Sequence, residues 1–310
     1  MKPSITPLRF PGGKTWLFGY VKKFLEFHNI GLGRVIEPYA GSASVSVSLL
    51  RNNLAEEAWI SEKDPLIVAF WKAVLYHNSD LIDSVRSLDI SIDTWYSFKK
   101  YLTDNSCNNF STVELAASFL FYNRTNYSGI IKAGPLGGKQ QKSQYKLDCR
   151  FNRERILTKI RQLGELEGKM HILNEDGIEF MKKMSNSSYV DNLFFYVDPP
   201  YFYAGKSLYR EYFTEEDHAS LSRTLKLMEF PWLLSYDDAD FIKVLYSKSE
   251  GMPIYTDYQA GRLRRGVREY LFSNRTIPPV APKVELDEKI PRSKQTELVG
   301  LRCRSVDPLT

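Results

Sequence analysis

A chain of 310 residues with 43% hydrophobic and 25% charged residues is long enough to bury a full core, and a mean hydropathy of −0.35 is that of a globular protein. Three cysteines (Cys107, Cys149, Cys303) without a Cys-x-x-Cys pair, together with four histidines, exclude a disulfide scaffold and offer no zinc set. No run nears the ~18 apolar residues of a spanning helix, and Met1-Lys-Pro-Ser-Ile-Thr-Pro7 lacks an apolar signal core, so a cytoplasmic chain with reduced thiols is expected. The balance of 42 Lys+Arg against 37 Asp+Glu, net +5, is compatible with a polyanionic partner. Aromatics at 14% supply rings that stack bases or fill cores.

In chain order, the segments Arg34-Val-Ile-Glu37 and Ala58-Trp-Ile-Ser61 read as short buried strands. Between them Ser42 to Asn52 has helical spacing, with Val45, Leu49 and Leu50 on one face. From about Leu66 to Ile160 the pattern is mainly helical, broken by the Gly/Lys/Gln-rich stretch 132–142, which reads as loop or hairpin. Strand signals return at Met170-His-Ile-Leu173, Leu193-Phe-Phe-Tyr-Val197 and Trp232-Leu-Leu-Ser-Tyr236. This is the pattern of a helical insertion within an α/β core. After Asn274 the chain turns Pro- and charge-rich, which reads as a tail.

Five short motifs stand out. Arg9-Phe-Pro-Gly-Gly-Lys14-Thr15 ends like a P-loop, but that pattern needs a glycine where Leu8 stands and a preceding strand; it reads instead as a close-approach turn with a charge. Val35-Ile-Glu37-Pro-Tyr39-Ala-Gly41-Ser-Ala43 runs from a strand through small residues into a helix, the place where open α/β sheets take ligands or simply pack a turn. Asp64 closes the next strand as a candidate acceptor for ribose hydroxyls or a helix cap. Tyr196-Val-Asp198-Pro199-Pro200-Tyr201 fixes a carboxylate and a carbonyl beside a ring, because each proline biases its predecessor toward extended backbone. Two rigid acceptors of that kind suit a planar exocyclic amino group. Gly261-Arg262-Leu-Arg264-Arg265-Gly-Val-Arg268 reads as a basic hairpin tip suited to phosphates.

In this order, from Leu8 to Asn274, these motifs resemble the Dam-like (DPPY-type) group of S-adenosylmethionine-dependent DNA adenine-N6 methyltransferases. The segment Tyr122-Asn123-Arg124-Thr-Asn-Tyr-Ser-Gly129 narrows the likeness to this group. The resemblance implies an α/β fold: a Rossmann-like methyltransferase core with a mixed, mostly parallel sheet, formed by 1–65 and 165–276. A mainly helical target-recognition domain would be inserted at 66–164, and 277–310 would be a tail. It also implies that Phe10, Lys14, Glu37, Pro38, Tyr39, Gly41, Asp64 and Asp176 bind S-adenosylmethionine, and that Asp198, Pro199, Pro200 and Tyr201 are catalytic. No metal is implied. Asn123, Arg124, Lys132, Lys139, Lys142, Arg262, Arg264 and Arg265 are the expected DNA-binding residues. Asn123 and Arg124 have a second reading, as ties between the insertion and the core.

The implied partner is double-stranded DNA, met by a monomer, with a cognate restriction endonuclease acting on the same site without direct contact. Two departures stand against the pattern. Ala43 replaces a glycine, and the stretch after Arg124 differs from members that read GATC, so the recognition sequence is not legible. Methylation of RNA adenine is the competing enzymatic reading, and a non-catalytic DNA-binding protein on the same fold is the competing reading of another class. Glutamine methylation is disfavoured by Asp198, where such enzymes carry Asn.

Overall fold

The structure is a computed structural model that describes residues 5–10, 12–31, 33–103, 109–186, 192–203, 205–260 and 263–279; side chains of 103, 206, 207 and 255–268 lie outside that description. The chain divides into a unit Met1–Pro278 and a unit Pro279–Thr310, and all but one of the described residues belong to the first.

Seven strands form one sheet in the order β3-β2-β1-β4-β5-β7-β6. They are β1 (Arg34–Glu37), β2 (Glu57–Ser61), β3 (Met170–Leu173), β4 (Leu193–Val197), β5 (Trp232–Asp237), β6 (Glu250–Ala260) and β7 (Leu263–Ser273). The first five run parallel, while β7 is antiparallel to both β5 and β6. Helices cover both faces: α1 (Phe18–Phe27), α2 (Ser44–Arg51), α3 (Pro65–Tyr76), α4 (Asn78–Ser87), α5 (Ile92–Ser97), α6 (Lys99–Thr103), α7 (Thr112–Thr125), α8 (Arg153–Gly164), α9 (Gly177–Ser185), α10 (Gly205–Leu208), α11 (Glu215–Lys226) and α12 (Asp240–Leu245). The mixed, mostly parallel α/β sheet expected from the sequence is therefore present, and the strand boundaries at β1, β3 and β4 coincide with those read from the residues.

Strand alternation explains the two cores. In β4, Phe194 and Tyr196 join the core under α1, α2, α3, α7 and α8, while Leu193, Phe195 and Val197 join the core under α9, α11 and α12. A strand buried on both faces reads as an unbroken apolar run, which is why β4 is so plain in the sequence.

The helices α3 to α8 lie between β2 and β3, where the helical insertion was expected. Only Trp95, Phe121, Tyr122 and Leu147 form a separate small cluster there. Trp71, Phe70, Phe119 and Ile160 instead continue the core of the sheet, so the insertion shares its packing with the sheet. Local signals set its helix ends. Asp64 caps α3 by accepting from Leu66 N at 3.0 Å, and Pro65 at N1 has no N–H to leave orphaned. Ser111 and Glu114 form a reciprocal capping box on α7.

Arg153, opening α8, donates to the carbonyls of Val85, Arg86 and Leu88 at 2.6–2.7 Å, closing the C-terminal end of α4. Arg153→Met is expected to lower the unfolding free energy by about 1–3 kcal/mol, because these carbonyls lose a charged donor. Urea titration checks this, with an unchanged slope expected.

Candidate functional site

The chain runs outward from β1 through β2 to β3 and then returns to β4, so strand order reverses between β1 and β4. Open sheets bind ligands in the crevice beyond the carboxyl ends at such a reversal. A cleft partly open to solvent lies there. Phe10, Lys14, Glu37, Pro38, Tyr39, Gly41, Asp64 and Asp176 all line it, as do Asp198 and Pro200. Residues as far apart in the chain as Phe10 and Asp217 thus meet in one place.

The turn after β1 is built by contacts between backbone and carboxylates. Glu37 is buried and accepts from the backbone N–H of Ser46 at 3.0 Å and from its hydroxyl, so a strand residue caps α2 from outside. That replaces the local cap which Ala43 lacks. Ala43 sits at φ 45°, ψ 34° in the left-handed region, where a side chain costs about 1–2 kcal/mol relative to glycine. The glycine-to-alanine departure is therefore accommodated with strain. Glu62 gathers the N–H groups of Gly41, Lys63 and Asp64 at 2.9–3.2 Å. Gly177, at the start of α9, has no room for a side chain: an added Cβ would lie 2.8 Å from Pro38 O and 2.6 Å from Tyr39 Cζ.

On the other side of the cleft, Lys14 is the hub. Its ammonium is 3% exposed and donates to Gly12 O at 2.8 Å and to the Tyr201 hydroxyl. It pairs with Asp198 Oδ1 at 3.0 Å, lies 3.6 Å from Glu269 Oε2, and sits 4.8 Å from the Tyr201 ring centroid. Ser235, from β5, donates to the same Asp198 oxygen at 2.8 Å, and Tyr196 lies 3.1 Å behind Ser235. Asp237 accepts from Phe202 N at 2.9 Å and Tyr203 N at 2.8 Å, tethering the loop that follows Tyr201.

Electrostatics follow from this packing. Burial pushes the Glu37 carboxyl up to about 8, with Ser46 opposing. Burial, helped by neighbouring Asp64, pushes Glu62 to about 7. Burial alone would lower the Lys14 ammonium, but Asp198 and Glu269 outweigh it and the net shift is upward. The cleft lining carries seven carboxylic acids (Glu37, Glu62, Asp64, Asp176, Asp198, Glu211, Asp217) against three cations (Lys14, Lys63, Arg210). Even with Glu37 and Glu62 neutral, the five remaining acids outnumber the three cations, a balance that favours a cationic ligand.

The expected DNA-binding residues separate into groups. Asn123 is a correction: it is buried, its carbonyl accepts from Arg9 N at 2.7 Å, and its amide donates to Arg9 O at 2.8 Å and Gly129 O at 3.1 Å. With both amide protons and its oxygen committed, it is a structural tie holding the N-terminal segment to α7. Arg124 likewise donates to Pro7 O at 3.2 Å and to Arg150 O. Lys132, Lys139 and Lys142 are exposed, and the Lys132 ammonium lies 5.9 Å from the ring of Tyr212 at the cleft. Arg262 lies outside the described residues, as do the side chains of Arg264 and Arg265, although the backbone pairing of β6 with β7 forms the expected hairpin. The sequence reading missed Ser46, Ser235, Asp237 and Glu269, and noted Glu62 as an acid at a strand end without giving it a role. Glu62 and Asp237 each end an apolar strand as Asp64 and Asp198 do, a signal that was available.

With this geometry in place, the comparisons with known proteins become specific. Residues 10–259 match the D12 class N6 adenine-specific DNA methyltransferases. The chain belongs to that family. It is also 25% identical over 240 residues to the Type II methyltransferase M.MjaIII of Methanocaldococcus jannaschii, covering 72% of this chain and 79% of that protein. Among solved structures it is similar to M. capricolum TrmK in complex with S-adenosyl-homocysteine, with 8% identity, coverage of 83% and 71%, and a TM-score of 0.34. It is also similar to a putative RNA methyltransferase from Pyrococcus horikoshii, with 12% identity, coverage of 86% and 84%, and a TM-score of 0.38.

This family member is an adenine-N6 DNA methyltransferase whose methyl donor is S-adenosylmethionine. The residues present fit that donor, whose sulfonium and ammonium are both cations, because the cleft is rich in carboxylates. The buried Tyr39 hydroxyl also lacks a hydrogen-bond partner among the described residues. Among these residues no helix is long and apolar enough to cross a membrane.

Glu37 gives a pH test of the cleft. Its folded-state pKa is raised from 4.5 to about 8, so its contribution to stability is intact below 4.5 and is lost as pH rises toward 8. Glu37→Gln removes the titration. Relative to the native protein, this variant is expected to gain up to about 1.4 kcal/mol of stability per pH unit across that window. Denaturant melts without ligand at pH 5, 6.5 and 8 check this, and a constant difference would contradict it.

Proposed function

We propose that Asp198 and the Pro199 carbonyl hold the amino group of a flipped-out adenine while Tyr201 stacks on its ring, and that the eight expected cleft residues hold the methyl donor. The observation that carries this reading is the meeting of the Lys14 turn, the β1 turn and the Asp198 loop around one cleft at the sheet's reversal.

The N6 lone pair of adenine is delocalised into the ring, so the nitrogen is a poor nucleophile. Two fixed acceptors on its N–H bonds draw it toward tetrahedral geometry and localise the lone pair. S-adenosylmethionine supplies, when bound, an electrophilic methyl group on a sulfonium. Asp198 then faces the positive charge that develops on N6 and stabilises it. Ser235 and Lys14 fix one oxygen of that carboxylate in advance. Holding both reactants in line supplies about 7–11 kcal/mol of the barrier. Pro199 and Pro200 keep the acceptors stiff, and Asp237 anchors the loop beyond them. Extracting the nucleotide from the duplex costs a few kcal/mol, and stacking on Tyr201 returns about 1–3 kcal/mol.

The helical segment 66–164 acts in this reading as the target-recognition domain, with phosphate contacts among Lys132, Lys139, Lys142, Arg262, Arg264 and Arg265. The enzyme works as a cytoplasmic monomer, and a restriction endonuclease of the same site acts beside it without contact.

Sequencing with modification detection, on DNA from cells expressing the protein, tests the reading and maps the target. Asp198→Ala is expected to keep donor affinity within about threefold and lose at least ~10³ in turnover, a loss of ~4 kcal/mol in transition-state stabilisation. Substantial residual N6-methylation would overturn the catalytic role. DNA affinity should fall steeply with salt, and each phosphate contact removed should reduce the log–log slope by about one. A flat salt response would reject the proposed surface.

A further inference from the structure

Glu269 has no part in the reading above, yet it lies at its centre. Because β7 runs antiparallel to β5, with Asp237 opposite Glu269, the early part of β7 reaches the carboxyl edge of the parallel strands. Glu269 is thereby carried beside Lys14 and 3% exposed. Its Oε2 is buried without a hydrogen-bond partner among the described residues. An unsatisfied carboxylate oxygen in the interior is costly, and its persistence calls for a reason.

The neighbouring Asp198 supplies one. In the free protein its Oδ1 is already engaged by Lys14 at 3.0 Å and by Ser235 at 2.8 Å. An adenine amino group claiming Asp198 competes with the ammonium for that carboxylate. A displaced ammonium would keep the neutral Gly12 carbonyl and Tyr201 hydroxyl but lose its closest counter-ion in the interior, which is costly. Glu269 Oε2 stands 3.6 Å from Lys14 Nζ, within a small shift of direct contact.

We propose that Glu269 is a positioning residue that receives the Lys14 ammonium when the target amino group takes Asp198. Two carboxylates then share one cation in turn. Lys14 holds Asp198 and Tyr201 in place before DNA arrives and moves toward Glu269 as the base enters. Glu269 Oε2, near Lys14 but not yet in hydrogen-bond contact, is the landing point. Burial raises the Glu269 carboxyl above its ordinary range against the pull of Lys14, consistent with a group whose charge depends on that cation.

This inference rests on the reading of Asp198 as the acceptor of the amino group, and the test separates the two. Affinities are measured, with S-adenosyl-homocysteine present, for duplexes carrying the mapped site with either adenine or purine, which lacks the amino group, at the target position. The native protein is expected to favour adenine by about tenfold, the equivalent of ~1.4 kcal/mol. Glu269→Gln keeps the shape but removes the charge. It is expected to hold S-adenosyl-homocysteine and the purine duplex within about twofold of native while its adenine preference falls below about twofold. Glu269→Asp, which keeps the charge, is expected to retain most of the preference.

No preference in the native protein would remove the Asp198 reading itself. A native preference that survives in Glu269→Gln overturns the handover. Loss of S-adenosyl-homocysteine binding in both variants assigns Glu269 a purely structural role and overturns it as well.

Discussion

One buried ammonium organises the site. Lys14 comes from a turn near the start of the chain, Asp198 and Tyr201 from the loop after β4, and Glu269 from β7. These segments have no reason to meet except at the carboxyl edge of the sheet. The ammonium there is stabilised by two carboxylates, a hydroxyl and a backbone carbonyl. Burying a cation is tolerable only with such partners, so the position of Lys14 and the posture of the Asp198 loop fix each other. The same charge that steadies the acceptor before substrate arrives must give way when substrate binds.

Around that hub the fold supplies rigidity from several directions. Asn123 clamps both backbone groups of Arg9, which holds Phe10 against Gly41 on the floor of the cleft. Glu37 and Glu62 gather backbone N–H groups across the β1 turn, and their elevated pKa values are the cost of doing so out of water. Asp237 does similar work for the loop beyond Tyr201. Carboxylates here serve as much to hold turns as to meet ligands, which is why the cleft holds more of them than the chemistry of one methyl transfer uses.

Much of the fold was legible in the residues. The strand at Leu193–Val197 is an apolar run because it is buried on both faces, and Met170–Leu173 and Arg34–Glu37 were found for related reasons. The eight residues assigned to the cleft do line it, since each sits at a strand end or helix start whose position in an α/β sheet is set by topology. The helical insertion was visible only as a pattern. Its sharing of core with the sheet depends on Trp71, Phe119 and Ile160 meeting across long sequence distances. Asn123 had two readings, a DNA contact or a tie between the insertion and the core, and only the tertiary approach of Arg9 favours the tie. Ser235 and Glu269 were missed for the same reason: each matters through a partner dozens of residues or more away. Local sequence carries no mark of such pairings.

The most direct measurement is a crystal structure of the protein with S-adenosyl-homocysteine and a duplex carrying its mapped site. The target adenine is expected outside the helix, its N6 within hydrogen-bond reach of the Asp198 carboxylate and the Pro199 carbonyl, and Lys14 closer to Glu269 than to Asp198. An extruded base seated away from Asp198, or Lys14 still locked on Asp198 beside a bound adenine, would contradict this.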